Sequence, residues 1–329
     1  MIRTRRRKLG LALGLLAVFA STPQIAFGQT PSVRIGVLAP RQPSLYIPQV
    51  LARLGELGYV EGKNLIVDYR SADGVAERFP QLARDLIRAK CDLIFAVGPL
   101  QAARALLDAK VDVPVVVLAV DYDPVKAGIV ASLRRPGGNI TGIFSLGSAL
   151  AAKRLEFLRE IVPKAKRILV LSDLFTTQQL EVVRQAADQL RVEIAVETFA
   201  TLPYDLEAAF ARGRKAGTEA LLTLSSPALF DRRTTINQLV RQYRLPSVGT
   251  ELAAMGTIAD SENLIVYGAV KPFVRAADMA VSILKGAKAG DIPMEQPTEF
   301  ELVVNLKAAR ALKISIPQSI LLRANRVIE

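Results

Sequence analysis

The stretch Cys91–Leu107, CDLIFAVGPLQAARALL, decides the fold class. Its first half is a near-continuous apolar run, the pattern of a strand buried on both faces. Gly98-Pro99 ends that run, and from Leu100 the apolar residues recur at helical spacing. A second apolar run, VPVVVLAVDYDP (Val113–Pro124), follows and again closes in small and acidic residues. Strand, turn, helix and strand make a βαβ unit, because parallel strands need a crossover of about a dozen residues or more.

The same alternation extends in both directions. Upstream, SVRIGVLAP reads as a buried strand closed by Pro40, and SLYIPQVLARLGELGY as a helix stopped by Gly58. KNLIVDYR is the next strand, and ERFPQLARDLIRAK places Phe79, Leu82, Leu86 and Ile87 on one helical face. Downstream a second round begins at AKRILVLSD and runs through five more helix and strand patterns to a short strand at LPSVG. Two successive rounds predict an α/β protein of two doubly wound parallel-sheet lobes.

The chain is expected to cross between the lobes three times, which predicts a multi-strand hinge. The first crossing is assigned to RPGGNITGIFS (Arg135–Ser145), where Gly137-Gly138 suits a tight turn. A helix from Pro272 to Lys285 carries an apolar stripe expected to pack on the first lobe, and TEFELVVN is a late strand after a return near Pro293–Pro297. The expected organisation is a leader at 1–28, a first lobe of 29–143 plus about 268–293, and a second of 144–267 plus about 294–329.

The leader explains most of the charge. Five cations (Arg3, Arg5, Arg6, Arg7, Lys8) precede an apolar run from Leu9 to Ala20, and Ala26-Phe27-Gly28 offers small residues for cleavage. That is the layout of a secretory signal peptide cleaved after Gly28, on the general route rather than the twin-arginine one. A membrane-spanning helix needs roughly 20 apolar residues, more than this run supplies. Losing residues 1–28 lowers the formal charge from +12 to +7, and the remaining cations are dispersed without interleaved aromatics, so no nucleic-acid partner is expected. Cys91 is the only cysteine, which leaves no intramolecular disulfide for an exported chain.

Catalysis finds little support. The chain has no histidine, the commonest general base, and its single cysteine cannot build a structural zinc site. Nucleophile-elbow, phosphate-loop and dinucleotide-binding patterns are all missing. No metal and no cofactor is expected.

The segments ELGYVEGKNLIVDYR, DPVKAGIVASLRRPGGNITGI, KRLEFLREIVP, ILKGAKAGDIPMEQPTEFELVVNLKAARAL and IPQSILLRANRVIE span most of the chain beyond the leader. They resemble the ABC-transporter substrate-binding family related to bacterial tryptophan- and tyrosine-binding proteins. The resemblance implies a type 1 periplasmic binding fold that closes on a small solute, a monomer, and delivery to a membrane permease driven by an ATPase. GTELAAMGTIADSENLIVYG departs from the glycine-rich approach to the final Tyr-Gly often seen in the family. An exported sensory subunit would use the same binding chemistry with a different partner. A sugar-repressor-like regulator would need a helix-turn-helix where the leader stands.

Candidate ligand contacts follow from strand ends, because open parallel sheets bind ligands beyond the carboxyl ends of their strands. Gly98, Pro99, Leu100 and Gln101 open a helix whose free N–H groups suit a carboxylate, and in relatives this turn lies at the ligand's acidic end. Arg41 and Gln42 follow the first strand, and Asp121 closes the fourth, where it suits an ammonium or a helix cap. The second round offers Asp173, Thr176, Thr177, Ser225, Ser226, Thr250, Glu251 and Tyr267. With no tryptophan and few cleft aromatics (Tyr46, Tyr122, Tyr204), amino acids, aromatic acids and other carboxylates stay open as solutes.

Overall fold

The computed structural model of the chain describes residues 32–42, 46–249, 261–270 and 273–329. The leader and two candidate contacts, Thr250 and Glu251, lie outside the described residues.

The strand at the centre of CDLIFAVG, β3 (Leu93–Gly98), is buried throughout and flanked on both sides by parallel partners. These are β1 (Val33–Ala39) and β4 (Val115–Val120); β2 (Leu65–Ser71) adds beyond β1 and β5 (Ile140–Ser145) beyond β4. The order β2-β1-β3-β4-β5 is fully parallel. Strand periodicity explains its two cores. Ile35, Val37, Leu93, Phe95, Val97, Val116 and Leu118 face α1 (Ile47–Glu56), while Leu38, Ile94, Ala96, Val115 and Val117 face α2 (Phe79–Arg88) and α3 (Leu100–Asp108). Apolar residues at every position therefore serve two helix layers at once, which is why these strands read as continuous runs rather than alternating ones.

The second sheet repeats the plan. β6 (Arg167–Asp173) lies between β7 (Glu193–Phe199) and β8 (Ala220–Thr223), followed by β9 (Ser247–Gly249), β10 (Ile265–Ala269), β11 (Phe300–Asn305) and β12 (Arg326–Ile328). Among the described residues only the β10–β11 pairing of this sheet is antiparallel. Ile168, Val170 and Leu222 pack toward α4 (Gly147–Ile161) and α5 (Thr177–Leu190). Leu169, Leu171 and Leu221 pack toward α6 (Leu206–Lys215) and α8 (Arg233–Tyr243).

Three crossings join the two sheets. Ile140–Ser145, read from sequence as part of the first crossing, is a strand paired along its length with β4, so the chain leaves the first sheet only after Ser145. It returns after β10 to form α9 (Arg275–Leu284), which packs on α1, β4 and β5 and supplies Ala276, Ala277, Ala280 and Ile283 to the first core. Phe273 meets Tyr46 edge-on with ring centroids 4.6 Å apart. The last crossing then runs beside β5: Glu295 N–H donates to Gly142, and Phe144 N–H donates to Glu295. Gly142 is required there. Its φ is +145°, and a Cβ would stand 2.1 Å from the Val117 carbonyl oxygen.

Candidate functional site

Both sheets share one order, with the second strand outside the first and the third on its other side: β2-β1-β3 and β7-β6-β8. In such sheets the chain leaves neighbouring strands toward opposite faces, and the crevice beyond the strand ends is the ligand position. The crevices lie beyond β1 and β3 in one lobe and beyond β6 and β8 in the other. Between them is a cavity of about 670 Å³. The first lobe lines it with Pro40 and Arg41 after β1, residues 73–77 after β2, Gly98, Pro99 and Gln101 after β3, and Val120 at the end of β4. The second lobe contributes Leu174 and Phe175 after β6, residues 200–202 and Tyr204 after β7, and Ser225 and Ala228 after β8. A larger and more open cleft of about 870 Å³ lies by the crossings, edged by the ion pairs Arg53–Asp278 and Arg275–Glu295 and lined by Val270 after β10.

Gly98 makes the first wall. Its φ of +90° turns β3 directly into α3, and a Cβ there would come within 3.2 Å of the Pro40 ring. Pro99 then takes the N-cap position, and among the described residues no side chain caps α3. The helix start therefore presents backbone N–H groups and the positive end of its dipole at the cavity wall. Gln101 is exposed beside it.

The mouth is bridged from lobe to lobe. The Arg41 guanidinium lies 2.7 Å from the carboxylate of Asp231, which ends α7 (Pro227–Asp231), and the Arg41 carbonyl accepts from the Tyr69 hydroxyl at 2.9 Å. Arg41, read from sequence as a ligand contact, thus lines the cavity while paired with the opposite lobe.

The second wall is organised by Asp173, which is buried at 1% exposure. Its Oδ1 accepts from Phe175 N–H at 3.0 Å, and its Oδ2 accepts from the Ser226 and Tyr204 hydroxyls. Burial pushes this carboxyl up from its ordinary 3.8, and the three donors pull against that. Burial and the neighbouring Asp173 push the Tyr204 phenol up, so it remains a donor. The Tyr204 ring stacks on Phe199 at 4.6 Å, and the Arg232 guanidinium sits 4.9 Å from its centroid. Ser226 also caps α7 by accepting from Leu229 N–H at 3.1 Å.

Of the candidates read from sequence, Arg41, Gly98, Pro99, Gln101 and Ser225 come together on the cavity wall. Asp173 and Ser226 stand just behind it. Asp121 adopts φ +64° and accepts from Ser148 N–H at 2.8 Å, so it holds the start of α4 at the first crossing. Thr176 is fully buried against Ser172 and Asp173, and the Thr177 hydroxyl donates to the Leu174 carbonyl. Leu100 is half-buried against the core between the first sheet and α2 and α3, and Gln42 is exposed outside the cavity lining. The Tyr267 ring packs on Phe157 and Phe300, while its carbonyl accepts from the fully buried Arg154 at 2.8 Å. Of the other tyrosines read as cleft residues, Tyr46 and Tyr122 are buried and only Tyr204 lines the cavity.

Two features escaped sequence reading. The loops after β2 and β7 line the cavity with Val75, Thr201 and Leu202, residues with no distinguishing local pattern. Gln179, on α5 and fully buried, clamps the backbone of Ser225: its amide donates to the Ser225 carbonyl and accepts from the Ser225 N–H, both at 2.8 Å. A glutamine amide matches a peptide group in both donor and acceptor, so this one side chain pairs with both backbone groups of Ser225 beyond β8.

Comparisons with known proteins agree with this fold. The chain is 27% identical over 267 residues to a tyrosine-binding protein of Clostridioides difficile, covering 79% of this chain and 74% of that one. A conserved domain protein of Vibrio cholerae superposes with a TM-score of 0.76 at 25% identity, covering 90% of this chain and 99% of the other. An ABC domain of Streptococcus pneumoniae, solved in complex with L-tryptophan, superposes with a TM-score of 0.72 at 25% identity, covering 90% and 100%. The profile of ABC transporter substrate binding proteins matches residues 46–328, and the chain belongs to that family.

Proposed function

We propose that this protein captures a small carboxylate-bearing solute, an amino acid or an organic acid, between its two lobes and hands it to an ABC permease driven by its ATPase. It works outside the cytoplasmic membrane, after export by a leader cleaved behind Gly28, and as a monomer. The observation that carries the reading is the convergence of both crevices on one cavity whose first wall is the uncapped start of α3. Backbone N–H groups and the dipole there favour an anion. Closure then stabilises the bound form only through contacts that the open form lacks. The Arg41–Asp231 pair is one such contact, because its partners sit on different lobes. Solute binding rather than conversion is the reading that the family supports, together with walls that offer donors and apolar surface.

A thermal-shift panel tests this. Amino acids, aromatic acids, dicarboxylates, ureas and sugars are presented to the protein after one unfolding and refolding cycle that strips carried-over solute. Ligand at about 100 times its Kd adds roughly 2.7 kcal/mol of stability. Shifts with carboxylates are the expected result. Shifts with neutral solutes alone would remove the anion site at α3.

A further inference from the structure

We propose that Leu202 and the turn at Gly74 form an apolar latch between the lobes, a contact that sets how fast any solute leaves the cavity. The latch rests on the reading of this cavity as the solute site; the contact itself does not depend on what the solute is.

Leu202 belongs to the second lobe, in the loop after β7, and Gly74 to the first, in the loop after β2; both line the cavity. The Leu202 side chain reaches across it. Its Cδ1 lies 3.7 Å from where a Cβ on Gly74 would stand, an ordinary van der Waals distance. Each side is fixed to its own lobe. Gly74 N–H donates to the Pro40 carbonyl at 2.8 Å, and Val75 N–H donates to the Ala72 carbonyl at 3.0 Å. Two residues beyond Leu202, Tyr204 is anchored by its hydroxyl on Asp173 and its ring on Phe199. Opening the lobes must therefore part Leu202 from the turn.

Leu202 is 42% exposed with the lobes together, and parting it from the turn returns more of its surface to water. That loss opposes opening, and it is the same whichever solute lies inside. The Arg41–Asp231 bridge also joins the lobes, but through charge, so salt weakens it. An apolar contact is not screened in this way. The two ties between the lobes are therefore separable by experiment.

Release is followed by stopped flow, with L-leucine, L-tyrosine and 3-phenylpropionate as probes. Leu202→Ala should release each probe about three- to tenfold faster, by factors that agree within about twofold, at low and at high sodium chloride. Gly74→Ala should act in the opposite direction. Its φ of +81° strains a side chain, but the turn is held within the first lobe, so the strain falls on open and closed forms alike. The added methyl meets Leu202 only in the closed form, and release should slow about twofold. Made in Leu202→Ala, the same substitution should leave release unchanged, a coupling between lobes that a packing defect within one lobe does not produce. Factors that differ tenfold between probes would make Leu202 a solute contact and overturn the latch. Unchanged release in Leu202→Ala, or additive effects of the two substitutions, would overturn it as well. If none of the three probes binds, the carboxylate reading of the cavity falls, and a solute-free arm decides the latch. Val75→Cys and Leu202→Cys are combined and treated with a short bis-maleimide; Cys91 is buried, with its thiol pushed up to about 11 by burial and Asp68, and stays out of that reaction. A cross-link between the two introduced cysteines is expected in the solute-free protein, and its absence would overturn the latch whatever the solute.

Discussion

Gly98 shows how much one residue contributes to this cleft. Its φ is +90°, and a Cβ added there would stand 3.2 Å from the Pro40 ring, which leaves little room for a side chain. Gly98→Ala should cost about 1–2 kcal/mol from backbone strain alone and lower the melting temperature by a few degrees. Gly98→Asp should also abolish solute binding, since it puts an anion at the start of α3; retained affinity in a folded variant would take that helix out of the site. At Asp173 the effect is one of pH. Burial raises its folded-state pKa above the ordinary 3.8, so the native form holds the proton more tightly than the unfolded chain. The stability contributed by that proton is whole below the unfolded value and is lost as pH rises through the folded one. Asp173→Asn does not titrate. Its urea midpoint should therefore move in the variant's favour, relative to the native protein, as pH is raised from about 3.5 to about 7. Parallel midpoints across that range would mean the carboxyl titrates normally.

At the scale of elements, the strand ends are held by partners distant in sequence. Gln179 on α5 clamps the end of β8 through two hydrogen bonds. Gln179→Leu keeps most of the volume but removes both hydrogen bonds to the Ser225 backbone, at a cost of about 1–3 kcal/mol by urea unfolding. It should also weaken solute binding, because Ser225 belongs to the cavity wall. The Arg41–Asp231 bridge joins the loop after β1 to the end of α7. Both side chains are about a third exposed, so the pair contributes roughly 0.5–1 kcal/mol to the closed form. Asp231→Asn should raise the apparent Kd about two- to fivefold, mostly through faster release, and the difference should shrink in high salt. A variant with unchanged release would make the bridge a surface pair without a role in closure.

For the whole molecule, the consequence of three crossings is that the first lobe is completed by residues far along the chain. Phe273 and α9 enter its core after the entire second round of strands and helices through β10 has been passed. Phe273→Ala removes a buried ring against Tyr46 and should cost about 3–5 kcal/mol. Hydrogen exchange should then accelerate first in β1, β3 and β4, although the mutation lies more than a hundred residues away in sequence. Equal acceleration across β6 and β8 would show that the two sheets unfold as one unit.

The amino-acid sequence determined the class of fold by itself. Apolar runs such as LIFAVG and VVVLAV are buried on both sheet faces, and only a parallel sheet with two helix layers asks for that composition. It also placed Gly98, Pro99, Gln101, Arg41 and Ser225 at strand ends, because local turn chemistry is written locally. The tertiary structure decided what lies between those ends. ITGIFS looked like part of a crossing and is a strand, because its pairing partner β4 is supplied from elsewhere. Asp121, read as an ammonium partner or a helix cap, accepts from Ser148 N–H at the start of α4, and Thr176 is buried against Ser172. Leu174, Val75 and Leu202 carry no local mark, and they meet across one cavity only because two lobes bring three separate loops together. Contacts between segments far apart in the chain depend on how whole sheets pack, and no local pattern encodes them.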